Sequence, residues 1–477
     1  MSALANELSK ALDIESNKTF TLNGMEINHS SLDPVVDLFF SFGSNRGSSK
    51  AVNALFRQAF ASNVDLAVRV ALYGRDVRGG MGEREHFRTI LSDLARSGQK
   101  KVVVKLIPLI PVIGRWDDLF SLVDTPAERE ALEFYAAALQ DGHALAAKWC
   151  PREKSAHSHW AKKLREFMGL SPKMYRKLLV SLTNVVENKM CANEWSSIDY
   201  NTVPSLASIR YQRAFERNDL SRYTSYIKAL ESGEAKVNAG AVYPYQVIQS
   251  LFTGNSRVAE QQWKALPNYI PEGKSFLPMV DVSGSMGCSV PNSNVSAMDI
   301  AISLGLYCSM KAKGPFENKM MSFSERPTWI DVTGLSLQDA VSKTRYADWG
   351  MNTNILAAYE MILDAAVKHN VPQSDMPDYF IVFSDMQFDS AVRGSNDINS
   401  NLMEKFEEAG YQMPKMVYWN LVDYGSNTPV EFDSVGSALV SGFSPTTMKA
   451  ILSDVESFTP INVVLEAVMQ DRYNWNQ

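Results

Sequence analysis

At 477 residues the chain is too long for one compact core, and 45% hydrophobic with 21% charged residues is the texture of a globular protein rather than a disordered or fibrous one. No run approaches the roughly 18 apolar residues of a membrane span, and residues 1–15 lack an apolar core after a basic start, so neither a membrane protein nor a secreted one is expected and the cytoplasm is. The net charge of −6 hides an asymmetry: residues 281–477 carry 12 Lys+Arg against 24 Asp+Glu, whereas residues 1–280 carry 35 against 29, so the two parts suit different partners.

From Asp33 onward apolar residues recur at helical spacing, first Val36, Leu38 and Phe39, then Ala51, Leu55, Phe56, Ala59 and Phe60. Further amphipathic segments are expected at 65–73, 83–97, 101–107, 126–140, 159–167, 173–186 and 205–216, with strand signals nearly absent. Short helices with polar links and no fixed repeat motif predict an irregular, HEAT-like all-α array over residues 1–272. The four cysteines, Cys150, Cys191, Cys288 and Cys308, form no C-x-x-C pair, which speaks against a zinc finger or a disulfide framework and for buried thiols.

Two stretches of this part carry unusual chemistry. Arg75-Asp76-Val77-Arg78-Gly79-Gly80-Met81-Gly82-Glu83-Arg84 places three glycines and three arginines at a helix start, either to hold a phosphate on free N–H groups and guanidinium forks or simply to turn the chain and cap neighbouring helices. Between Lys148 and Lys189 lie ten basic residues against three acidic ones, interleaved with Trp149, Trp160 and Tyr175. That mixture suits a groove that tracks a phosphate backbone while aromatic faces stack bases, although helical aromatics are more often core. Cys150, His157 and His159 are three potential metal ligands with no matching fourth.

Beyond Gly273 the texture changes to alternating strand and helix: strands at 276–280, 319–323, 379–383, 415–421 and 438–440, helices at 295–311, 355–368 and 401–409, and two closing helices. This order predicts an α/β domain over residues 273–477 with a mostly parallel sheet, whose ligands bind beyond the carboxyl ends of the strands. Three oxygen-rich clusters fall there: Asp281-Val282-Ser283-Gly284-Ser285 after the first strand, Gly350-Met351-Asn352-Thr353-Asn354 before a helix, and Ser384-Asp385 after the buried strand. Hydroxyls and carboxylates of this kind suit a hard cation such as Mg2+, with Mn2+ as the alternative, and leave a coordination position open for an incoming acidic oxygen.

Asp281, Ser283, Ser285, Thr353 and Asp385 resemble the metal-ion-dependent adhesion site of von Willebrand factor A domains, a D-x-S-x-S loop followed by a threonine and then an aspartate. Two positions depart from that pattern: Met351 and Asn352 stand where glycines are usual, and Met386 follows Asp385 where glycine is usual. Catalysis is not expected, because neither serine fits G-x-S-x-G, the only histidine after His159 is His369, and a phosphatase of the haloacid dehalogenase type would need an aspartate in place of Ser283.

Further phrases extend the likeness, namely Asp37-Leu38-Phe39-Phe40, Arg75-Asp76-Val77-Arg78-Gly79-Gly80, Gly114-Arg115-Trp116-Asp117-Asp118, and Trp195-Ser196-Ser197-Ile198-Asp199-Tyr200 leading to Val203-Pro204-Ser205. With these, the chain resembles the TROVE family of Ro ribonucleoproteins and an uncharacterised relative family of the same layout. The resemblance implies a helical ring closed by the A domain, a monomer, and a non-catalytic scaffold that binds single-stranded or small structured RNA on its basic part and an acidic protein ligand through the cation. Arg78, Arg84, Lys162, Lys163, Arg176 and Lys177 are RNA-binding candidates from charge and position. The alternative is a metal-dependent protein adaptor without RNA.

Overall fold

The computed structural model describes residues 16–254, 256–291, 293–323, 327–347, 355–388, 398–423, 427–453 and 457–476. The chain has a helix-rich N-terminal part and a C-terminal α/β domain, and it gathers into two compact units that interleave along the sequence. One contains the chain up to Val70, Tyr243–Gln249 and Asn268–Gln470; the other contains Ala71–Val242, Ser250–Pro267 and the tail from Asp471. The described stretch up to Val70 thus groups with the α/β part, and one of its helices shows a physical reason.

That helix, Pro34–Phe42, starts on Asp33, whose carboxylate accepts from the N–H groups of Val35 and Val36. Val35, Val36, Leu38, Phe39, Phe40 and Phe42 are all buried, so apolar side chains cover most of the helix circumference, far more than the one stripe of a surface helix. Its apolar surround is completed by the α/β domain. There Ser441 donates its hydroxyl to Phe39 O and accepts from Gly43 N, and Gly43 approaches Gly442 so closely that a Cβ would meet its Cα at 2.6 Å.

Burial also pushes the carboxyl of Asp37 on this helix up to about 6, against the hydrogen bonds from Ser31 that favour its charge. The folded chain therefore holds that proton more tightly than the unfolded one, and this contribution to stability is lost as pH rises from about 4 to about 6. In melting curves across that range, Asp37→Asn should gain on the wild type with rising pH, by about 1–2 kcal/mol at the top of the window. A difference between the two that does not change with pH would contradict the assignment.

Strands β1 (Lys18–Phe20) and β2 (Glu26–Asn28) form an antiparallel hairpin, an element the helical reading of this region left out. The main sheet has the order β5-β4-β3-β6-β7-β8, with β3 Phe276–Asp281, β4 Lys319–Phe323, β5 Trp329–Asp331, β6 Tyr379–Ser384, β7 Lys415–Asn420 and β8 Ser437–Ser441. Only β5 is antiparallel, at the edge. The central strands β3 and β6 are entirely buried, as near-continuous apolar runs in a parallel sheet should be. Helix Ala297–Lys311 is buried along most of its length and presses on β3 at Gly305, where a Cβ would meet Val280 at 2.4 Å.

The second unit is helical, and the segments expected from spacing appear as helices at Arg84–Arg96, Lys100–Leu106, Glu128–Gln140, Ser158–Phe167, Pro172–Leu182 and Ser205–Asn218. Leu220–Ser232 and Ser256–Lys264 are further helices that the spacing did not single out. Arg84–Arg96 buries Phe87, Ile90, Leu91 and Leu94, one face of a 3.6-residue repeat. Among the described residues no helix is long and apolar enough to cross a membrane.

Candidate metal centre

The sheet register builds the site. Val280 pairs with Phe383, so the next residues along the two parallel strands, Asp281 and Ser384, emerge side by side at their carboxyl ends. From β3 the neighbours run to β4 on one side and to β6 on the other, which makes this gap the point where strand order reverses and where open α/β sheets bind ligands.

Asp281 is fully buried and its two oxygens are held separately: Ser283 N donates to Oδ1 at 2.9 Å and Ser384 Oγ to Oδ2 at 2.6 Å. Ser283 and Ser285 point the same way, with their hydroxyl oxygens 3.1 Å apart. Asp385 is buried too; its Oδ1 accepts from Gln387 N at 3.1 Å, while its Oδ2 is buried without a hydrogen-bond partner among the described residues. Burial, and secondarily the nearby Asp385 carboxylate, push the Asp281 carboxyl well above the usual carboxylate range. Burial raises Asp385 as well.

Two carboxylates in low dielectric, two convergent hydroxyls and one unsatisfied carboxylate oxygen form a donor set that fits a small hard cation. Thr353, Met351 and Asn352 lie outside the described residues. Met386, where the A-domain pattern has glycine, adopts φ +62°, the left-handed conformation that glycine would take without strain. A side chain there costs roughly 1–2 kcal/mol, so the backbone turn is kept although the residue is changed. Ser384 is the functional neighbour that the motif alone did not assign; the register against β3 identifies it.

The basic candidates do not share one fate. Lys163 is committed to Asp124 and Glu128, both at 2.6 Å, and Arg84 pairs with Glu85 at 2.8 Å. Lys162, Arg176, Lys177 and Arg78 are exposed and make no ion pair among the described residues. Two of the three aromatics among them belong to the core: Trp160 packs between Phe120 and Tyr135, and the buried Tyr175 hydroxyl is 2.9 Å from Cys150 Sγ, whereas Trp149 is half-buried with the Arg115 guanidinium 4.1 Å from its ring centroid. Burial pushes the Cys150 thiol up to about 12, away from the thiolate a metal would need, and His159 instead sits exposed beside Asp124.

In the glycine and arginine stretch, the N–H groups of Met81 and Glu83 are spent on Tyr73 O and Gly74 O, and the Arg75 guanidinium is buried against Asp118. A Cβ at Gly80 would meet Tyr73 O at 1.9 Å. These contacts are those of a turn that caps neighbouring helices, while Arg78 stays exposed.

Residues 275–473 match the family model described as Domain of unknown function (DUF7788), and residues 157–273 match Domain of unknown function (DUF2828). Over 509 aligned residues, 95% of this chain and 87% of the relative, the chain is 27% identical to the Uncharacterized protein L728 of Acanthamoeba polyphaga mimivirus. A crystal structure of the RO (RSR) protein of Deinococcus radiodurans is similar over 87% of this chain and 93% of that one, with a TM-score of 0.49 and 14% identity. The chain thus carries two adjoining matches to domains of unknown function and is similar along nearly its whole length to a mimiviral protein.

Proposed function

We propose that this chain is a non-catalytic binding protein that holds one divalent cation, Mg2+ or Mn2+, at Asp281, Ser283, Ser285, Thr353 and Asp385 and grips an acidic ligand through it. The observation that carries this reading is the pair of buried aspartates at neighbouring strand ends, one of them with an oxygen that nothing among the described residues satisfies. When bound, the cation offers a coordination position that a carboxylate or phosphate oxygen can fill. Asp281 supplies charge and, through Ser283 N and Ser384 Oγ, is fixed in one rotamer; the two serines supply neutral oxygens. The hydroxyls of the two serines lie 3.1 Å from one another, and neither is hydrogen-bonded to a histidine or lysine among the described residues. Partners captured in Mg2+ should be released by EDTA and missing from Asp281→Asn; partners that ignore both changes would overturn the reading. Turnover of a generic phosphate ester that is lost in the same variant would make it an enzyme instead.

RNA binding on the helical part is a second reading, supported by Lys162, Lys173, Arg176 and Lys177, which are exposed and make no ion pair among the described residues. Phosphate contacts of this kind release counterions, so affinity should fall steeply with salt. A labelled single-stranded RNA should bind at low salt, and the combined Lys162→Ala, Arg176→Ala and Lys177→Ala variant should reduce the log–log salt slope by about one for each side chain that pairs with a phosphate. No binding to the wild type at low salt would sink it.

A further inference from the structure

We infer that the N-terminal hairpin is a positioning element of the cation site: Thr21 and Asn23 latch the loop that carries Asp385 and so set the site's affinity for the ion. The inference rests on the cation reading above and names residues that no A-domain motif includes.

Three hydrogen bonds join the turn of the hairpin to the two residues that follow Met386. Thr21 Oγ1 donates to Phe388 O at 2.6 Å, Leu22 N donates to Gln387 Oε1 at 2.9 Å, and Asn23 Nδ2 donates to Gln387 O at 2.7 Å. Thr21 is buried and its hydroxyl is also an acceptor, from Met25 N at 3.0 Å, so a single side chain ties the turn to itself and to the loop. The turn is closed by Gly24 at φ +89°. The hairpin is anchored in its own right. Asn28 exchanges two backbone hydrogen bonds with Thr428, both at 2.9 Å, and the Asn17 side chain clasps the backbone of Ser30. Met25 and Ile27 are buried while Glu26 between them is exposed, and Ile27 lines a small cleft together with Asp385, Gln387, Asn420 and Asp423.

What the latch has to hold is a strained loop. Met386 occupies the left-handed region at φ +62°, so this loop relaxes unless neighbouring contacts over-determine it. Within the loop Met386 N donates to Ser384 Oγ and Gln387 N to Asp385 Oδ1, both at 3.1 Å and both only two residues back along the chain. The second of them orients the Asp385 carboxylate and leaves its Oδ2 buried and without a partner among the described residues. Gln387 therefore links the two ends of the device. Its N–H aims the aspartate, and its carbonyl and side-chain amide are the groups that the hairpin grips. Cation binding needs Asp385 fixed before the ion arrives, and orienting hydrogen bonds around ligating carboxylates are commonly worth 10–100-fold in metal affinity. Where the A-domain pattern has a glycine, the turn holds itself; where this chain has Met386, the hairpin supplies the constraint.

The test uses the full chain with Mn2+ as the probe, titrated by electron paramagnetic resonance, alongside hydrogen exchange of the 384–388 amides without metal. The double variant Thr21→Val with Asn23→Ala should bind Mn2+ about tenfold more weakly and exchange the Gln387 amide faster. Thr21→Ser, which keeps the hydroxyl, should behave as the wild type. Adding Met386→Gly to the double variant should restore affinity, because glycine removes the strain that the latch opposes, and a merely destabilised chain would not recover in this way. Unchanged affinity in the double variant, with the wild type binding, would overturn the latch and leave the cation site standing; a wild type that binds no Mn2+ would remove both.

Discussion

Asp118→Ala should destabilise the helical unit by about 3–5 kcal/mol, the largest loss expected from any single change away from the cation site. Asp118 is fully buried and gathers four donors: Arg75 Nε at 2.8 Å and Arg115 N at 2.9 Å on Oδ2, Arg88 Nε at 2.8 Å on Oδ1, and a second Arg75 nitrogen, Nη2, at 2.7 Å. Alanine leaves the Arg75 guanidinium, whose side chain is only 2% exposed, as an uncompensated buried charge, and that is what makes the cost large. Arg88 and Arg115 would lose less, since both also reach Asp117. The change should appear as a large fall in the denaturation midpoint of the helical unit, with Arg75→Met and Asp118→Leu combined recovering most of it because both charges then go. A loss below about 1 kcal/mol would show that water reaches the pair.

Asp281→Asn should do opposite things to stability and to binding. Burial beside Asp385 holds the Asp281 carboxyl at a raised pKa, so without metal the folded chain binds this proton more tightly than the unfolded one. Stability conferred by that proton is full at low pH and is lost as pH rises from about 4 to about 7. Asparagine carries no charge at any pH and can still accept from Ser283 N. In EDTA the variant should therefore melt above the wild type at pH 8, by on the order of 2 kcal/mol, and the difference should vanish toward pH 4. In Mn2+ the order should reverse, because only the wild type gains from binding, and the gain grows with the ratio of free ion to its dissociation constant. Such a trade of stability for a charged site is what a binding centre requires.

The cluster proposed as a cation site was legible because its parts are local. Asp281 to Ser285 follow an apolar strand directly, Ser384 and Asp385 follow another, and alternate residues of an extended segment face the same way. The sheet was legible for the same reason, with β5 escaping because three residues at an edge leave little pattern. The hairpin was missed although Asn23-Gly24 between alternating residues is a strong turn signal, and its role was beyond reach because Gln387 and Phe388 lie far along the chain. The grouping of Pro34–Phe42 with the sheet turned on whether this helix has one buried face or is buried nearly all round, which a nine-residue segment does not reveal. Charge density did not reveal the partners of Lys163, since Asp124 and Glu128 come from elsewhere in the helical unit. Trp160 and Tyr175 turned out to be core, as aromatics on short helices usually are.

The measurement that bears most directly on the central claim is a Mn2+ titration of the full chain and of Asp281→Asn at neutral pH, with Mg2+ as competitor. One saturable Mn2+ site per chain, displaced by Mg2+ and weakened at least about 100-fold by the substitution, is the expected result. No saturable binding to the wild type, or equal binding to both proteins, would contradict the assignment of Asp281, Ser283, Ser285 and Asp385 to a cation.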